Sequence, residues 1–180
     1  MIWVFVLLLL VFLAWLISKS TYKSDLEIIV NAPRSHAFSV AMDESLMGQW
    51  LSSDQMTFKS MENISGGRKE IGSQWKLTYQ GRGREIEMSE TVKDYIENEL
   101  FAFDIEDSFA KFHVIMRFED RNGGTLITER TEGTGKSIAA RAMLLFFGRS
   151  AERTKRKMYE KLKSLIESPH TMLDSSAEEE

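Results

Sequence analysis

The side chains most able to do chemistry in this chain are carboxylates set into strand-like stretches. Between Glu85 and Tyr95 the apolar residues Ile86, Met88 and Val92 fall in phase, and the same phase carries Glu90 inward with them. Asp104, and either Glu129 or Arg130, occupy comparable positions in later strands. A carboxylate in an apolar surround has its proton affinity raised and suits a general acid or base. Two plainer accounts compete: a bulge that turns the group to water, or pairing with an arginine such as Arg82, Arg84 or Arg117.

Other chemistries find less support. Gly133-Thr134-Gly135-Lys136-Ser137 follows a strand and opens a helix like the end of a phosphate-binding loop, but Arg130 stands where that pattern needs glycine. A glycine turn with Ser137 capping the helix is the simpler account, and no nucleotide partner is expected. His36, His113 and His170 are scattered without ligand spacing, so neither a metal nor a cofactor is expected. With no cysteine, thiolate chemistry and disulfides are excluded. No nucleophile-elbow pattern is present. A net charge of -4 argues against nucleic acid as a partner, because that surface must displace phosphate counterions.

The elements that must position these groups follow from periodicity. From Gln55 to Glu132 the chain reads as successive strands, and Ser137 to Glu167 is its longest helical pattern. Met143, Phe147, Ala151, Thr154, Met158, Leu162 and Leu165 recur at steps of four and three along one side of that helix. Its first third is apolar nearly all round, which asks for apolar neighbours on several sides. A curved antiparallel sheet gripping the helix meets that need. Ahead of the sheet, Asp25 to Asn31 reads as a first strand, and Pro33 to Asp43 and Ser45 to Ser52 as two short helices.

The amino-terminal stretch Ile2 to Ile17 carries no charge and no helix breaker, with Trp3 and Trp15 near its ends. It predicts a single-pass transmembrane anchor over 1–18, at the short limit for spanning, in preference to a cleaved signal peptide. Lys19, Lys23 and Arg34 follow it and place the folded domain in the cytoplasm, against the membrane. A linker over 19–24, one domain over 25–168 and a disordered acidic tail over 169–180 complete the predicted organisation.

The order of one strand, two short helices, six strands and a long terminal helix resembles the START-like (SRPBCC) superfamily of polyketide cyclase/dehydrase and lipid-transport proteins. The residues that carry the resemblance are Ile29-Val30-Asn31-Ala32-Pro33, Trp50, Gly72-Ser73-Gln74-Trp75, Gly123-Gly124-Thr125 and the terminal helix. The resemblance implies an α+β helix-grip fold, in which a seven-stranded sheet wraps the terminal helix and the two short helices close an apolar cavity. It also implies an apolar or amphipathic small molecule, lipid-like or polyketide-like, held between the sheet and Ser137 to Phe147. Trp50, Trp75, Tyr79, Met88, Glu90, Phe112, Met116, Met143 and Phe147 are the candidate ligand contacts. Two alternatives stay open: a cyclase or dehydrase using an inward carboxylate, for which no catalytic motif is evident, and a module that contacts a protein partner through an exposed apolar patch.

Overall fold

The computed structural model describes residues 2–81 and 83–169. In chain order the elements are α1 (Ile2–Ser18), β1 (Tyr22–Val30), α2 (Arg34–Met42), α3 (Glu44–Trp50), β2 (Met56–Ser65), β3 (Gln74–Gly81), β4 (Arg84–Ile96), β5 (Leu100–Glu106), β6 (Ala110–Arg121), β7 (Gly124–Gly135) and α4 (Ile138–Ile166). The strands form one seven-stranded antiparallel sheet in the order β1-β7-β6-β5-β4-β3-β2. From β2 to β7 each strand therefore pairs with its successor, and β1 joins the far edge beside β7. The β6–β7 hairpin closes on Asn122 and Gly123, both at positive φ, the pairing that a two-residue turn matched to strand twist requires. Of the predicted acidic tail, residues from His170 onward lie outside the described residues, as does Arg82.

The predicted transmembrane anchor is overturned, and the membrane localisation with it. α1 has 17 residues, which at about 1.5 Å per residue spans about 26 Å, short of the roughly 30 Å hydrocarbon layer. No helix among the described residues is long and apolar enough to cross a membrane. The helix cannot borrow length from the residues after it. The Ser18 and Ser20 hydroxyls donate back to the carbonyls of Trp15 and Ile17, and Tyr22 is already paired with Gly133 as the first residue of β1. α1 contacts α4.

The main core joins Leu26 and Val30 of β1, Phe38 and Ala41 of α2, Trp50 of α3, Val114, Met116 and Phe118 of β6, and Ile127 of β7. Tyr159, Leu162 and Ile166 bring the rear of α4 into the same cluster. A second cluster, Trp75, Leu77 and Tyr79 of β3 with Met56, Phe58, Ile86 and Met88 around them, lies at the other end of the sheet. Ile105 of β5 packs against both.

The front of α4 turns inward a different face from the expected one, while its rear keeps part of it. Of the predicted stripe, Met143, Phe147 and Ala151 are exposed, Thr154, Met158 and Leu165 are half-buried and Leu162 is buried, beside Ala140, Tyr159 and Ile166, which lie off the stripe. Small residues decide this at the front of the helix. A side chain at Gly148 would meet the Tyr22 ring at 3.2 Å, and one at Gly135 would strike Ala140 and the Arg141 backbone. The helix approaches the sheet on this small-residue side and leaves the bulky Met143, Leu145, Phe146 and Phe147 exposed, Met143 beside an open groove that it shares with Ile86 and Phe109. Ser137 caps α4 by accepting from the Ala140 N–H at 3.1 Å.

Candidate functional site

At the seam between the two clusters lies a cavity of about 90 Å³, walled mainly by apolar side chains from α2, α3 and β3 to β6. No residue of α4 lines it, so the cavity is not the predicted space between the sheet and Ser137 to Phe147. Ala41 and Met42 contribute from α2, Met47, Trp50 and Leu51 from α3 and its end, Leu77 and Tyr79 from β3, Phe101, Phe103 and Ile105 from β5, and Met116 from β6. Strand alternation sets this selection: Phe101, Phe103 and Ile105 point one way and Asp104 the other.

Two charged groups reach the cavity, Glu90 and Arg68. Glu90 is inward because β4 alternates, and its register partners are Trp75 on β3 and Ile105 on β5. Arg68 comes from the turn between β2 and β3, where Gly66 and Gly72 take positive φ. That turn is tied down by Gly72 and Val92, whose N–H groups donate to Val92 and Ser73 carbonyls respectively. Arg68 Nη1 then meets Glu90 Oε1 at 2.5 Å, with its guanidinium carbon 5.3 Å from the Trp75 ring centroid and 4.9 Å from that of Phe101. Aromatic faces and a carboxylate together hold the cation away from water.

Burial pushes the Glu90 carboxyl up, against the opposing pull of Arg68. The Tyr79 phenol is also pushed up, first by burial and then by the neighbouring Glu90 charge. Two buried N–H groups on cavity-lining residues, Trp50 Nε1 and Arg68 Nε, find no hydrogen-bond partner among the described residues. A buried donor left unpaired costs about 1–3 kcal/mol, so each one asks for an acceptor.

The other predicted acid and base positions lie elsewhere. Asp104 is on the opposite sheet face, 2.8 Å from His113 Nδ1, 3.0 Å from Lys111 Nζ and 3.3 Å from Lys93 Nζ. Burial works to raise its carboxyl, but the hydrogen bonds from His113, Lys111 and Lys93 outweigh it and hold the group below the usual range. Glu129 is buried under α4, where it accepts from Tyr159 and from Thr131, the latter at 2.7 Å, and pairs with Lys155 at 2.7 Å. Burial, then Glu129, drives the Tyr159 phenol well above its ordinary value. Arg130 points out to Asp25. Among the described residues no cluster of three or more His, Asp or Glu could hold a metal ion.

Of the predicted ligand contacts, Trp50, Tyr79, Glu90 and Met116 converge on the cavity. Trp75 is buried one layer behind, against Arg68. Met88 packs on the second cluster, and Phe112 lies between Tyr22 and the backbone of Gly133. Met143 and Phe147 are on the exposed front of α4, apart from the cavity. The sequence offers Arg82, Arg84 or Arg117 as a partner for an inward carboxylate, whereas Glu90 pairs with Arg68. No local pattern marks Arg68, because the β3–β4 pairing, not sequence proximity, brings it to Glu90.

Comparison with solved structures shows the same architecture. Protein CV1439 from Chromobacterium violaceum superposes with a TM-score of 0.66 at 11% identity, over 82% of this chain and 98% of its own. Ara h 8.0201 gives 0.64 at 12%, over 82% and 98%. SA2116 from Staphylococcus aureus, a protein of unknown function, gives 0.61 at 14%, over 83% and 98%. At these identities the likeness shows the fold alone. No curated protein matches the chain in sequence. The family model for Activator of Hsp90 ATPase homolog 1-like protein matches residues 31–167, a span that runs from the turn before α2 to the end of α4 and contains all the cavity-lining residues. With a START-type helix-grip fold and a match over most of its length, the chain belongs to the Activator of Hsp90 ATPase homolog 1-like protein family.

Proposed function

We propose that the chain is a binding module that takes a small apolar or amphipathic molecule into the cavity between α2–α3 and the sheet. The observation that carries this reading is the seam itself: two apolar clusters meet there without filling the space between them. About 90 Å³ is several times the roughly 10–15 Å³ that a single water needs, and less than the ~300 Å³ of a drug-sized pocket. A ring-sized molecule, or the ring-sized end of a longer one, matches that space.

The test uses the methionines. Met42, Met47 and Met116 line the cavity while Met143 does not. In the full chain labelled at the methionine methyl groups, methylcyclohexane is expected to give saturable NMR shifts at the first three with Met143 unmoved. Shifts at Met143 alone, or no saturable shift, would defeat the reading.

A second reading is favoured by a different observation. Ile138, Met143, Leu145, Phe146 and Phe147 are exposed together on the front of α4. The family takes its name from an activator of the Hsp90 ATPase, and an exposed apolar face of this kind suits contact with a protein partner. Phe146→Ser and Phe147→Ser would then abolish association with that partner while leaving methylcyclohexane uptake intact.

A further inference from the structure

α1 is too short to cross a membrane, yet its own chain leaves it almost bare. We propose that α1 pairs antiparallel with α1 of a second copy, forming the seam of a two-fold dimer that stands apart from the cavity.

No charged side chain occurs from Ile2 to Ser18. The large apolar side chains described along this helix are exposed from 42% at Val6 to 83% at Trp3. A helix that is apolar all round is ordinarily buried. An aromatic side chain alone covers ~150–250 Å², so the apolar surface that α1 shows comes to roughly 1,000 Å² or more. That exceeds the ~300–600 Å² of the largest patch on an ordinary monomer, and it suffices for the ~800 Å² that each partner brings to a stable interface.

The helix has a covered side and a free one. Val6, the least exposed of these residues, and half-buried Ile17 lie on one line and mark the side turned to α4, the element that α1 contacts. Half a turn away, Val4, Leu8, Val11 and Trp15 recur at steps of four, three and four, and each is between 55% and 60% exposed. That spacing is the apolar seam of a two-helix coiled coil.

A second copy fits this seam better than an unlike partner. Around a two-fold axis a surface meets itself, so any charge near the axis faces its like, and here there is none to repel. A partner with a charged face would bury that charge without a counter-charge. The ends set the orientation. Lys19 closes the apolar run of a helix of 17 residues, which is about 26 Å long. Antiparallel pairing keeps the two ammonium groups about a helix length apart, beyond the roughly 8–10 Å over which salt screens them. It also sets Val4 of one copy against Trp15 of the other, and Leu8 against Val11.

The test is sedimentation equilibrium of the full chain in buffer without detergent, from about 5 to about 200 μM. Two copies per particle are expected. Leu8→Lys puts an ammonium group into the seam and should weaken dimerisation at least about thirtyfold, the loss of a buried anchor. Ile71→Lys, at a similarly exposed apolar residue in the β2–β3 turn, should leave the dimer unchanged. Retained NMR amide signals from the sheet show that each variant is folded. Because the chain has no cysteine, introduced thiols report the seam directly in an otherwise unaltered chain. Val4→Cys mixed with Trp15→Cys should form a disulfide between copies on oxidation, and neither alone should. A monomer throughout the concentration range would overturn the pairing, as would particles that grow beyond two copies or a dimer untouched by Leu8→Lys. Val4→Cys and Trp15→Cys each bridging to its own kind would show a parallel pair and overturn it as well. A monomer that sediments with phosphatidylcholine vesicles would show that lipid covers α1 in place of a second copy, and the inference would fall.

Discussion

Ala41→Leu is the sharpest test of whether the space between the two clusters is real. Ala41 is fully buried on α2 and its side chain lines the cavity, so leucine there adds three carbons to a void of about 90 Å³. Burying three carbons at about 0.8 kcal/mol each stabilises the fold by about 2.4 kcal/mol. Fixing a leucine rotamer gives back about 0.5–1 kcal/mol, leaving a net gain of about 1.5 kcal/mol. Helix propensity hardly enters, since alanine and leucine are both strong helix formers. For a chain of this size the gain should raise the melting temperature by about 3–6 °C, measured by calorimetry or circular dichroism. The same substitution should abolish the methylcyclohexane shifts at Met42, Met47 and Met116. If the site were closely packed, the added carbons would strain their neighbours and cost about 1–3 kcal/mol instead. A lower melting temperature with ring uptake preserved would refute the reasoning.

The remaining predictions concern the buried polar groups. Because burial raises the Glu90 carboxyl above its ordinary value near 4.5, the folded chain holds that proton more tightly than the unfolded one. Its contribution to stability is therefore complete below about pH 4.5 and is lost as pH rises through the higher folded value, at up to about 1.4 kcal/mol per pH unit. Glu90→Gln should remove that part of the slope in urea unfolding between pH 4 and 8; an unchanged slope would contradict the assignment. Arg68→Met leaves Glu90 buried without its partner and should cost about 3–5 kcal/mol at pH 7, with Arg68→Met/Glu90→Leu recovering most of the loss. A double variant no better than the single would show that the loop, and not the ion pair, carries the effect. Tyr159→Phe removes the donor to Glu129 Oε2, while Thr131 and Lys155 still hold the other oxygen. The expected cost is about 1.5–3 kcal/mol by denaturant titration, the range for a hydrogen bond to a charged group, and no loss would mean Glu129 is satisfied without it.

The sheet was legible because its signals are local. Alternation in β3 and β4 set Trp75, Leu77, Tyr79 and Glu90 on one face, and Asn122-Gly123 marked the last turn through the two positive φ values it takes up. The face of α4 was not legible in the same way. Its inward line passes through Gly148, Lys155 and Tyr159, residues that a polarity pattern assigns to water, and Lys155 is inward only because Glu129 of β7 waits beneath it. The helical rhythm holds at the rear of the helix, where Leu162 is buried, but at the front Met143, Phe147 and Ala151 lie on the exposed side, because an all-round apolar segment gives no preference between faces. α1 misled for a related reason: composition satisfied a membrane span while length and the strand that begins at Tyr22 did not. Alternation likewise placed Glu90 inward but could not name Arg68, whose position depends on how β3 and β4 are registered. The cavity lies furthest from any local signal. It is the space left where side chains from α2, α3 and four strands approach without touching, and a difference between summed side-chain volumes and the room the backbone allows has no periodicity to read.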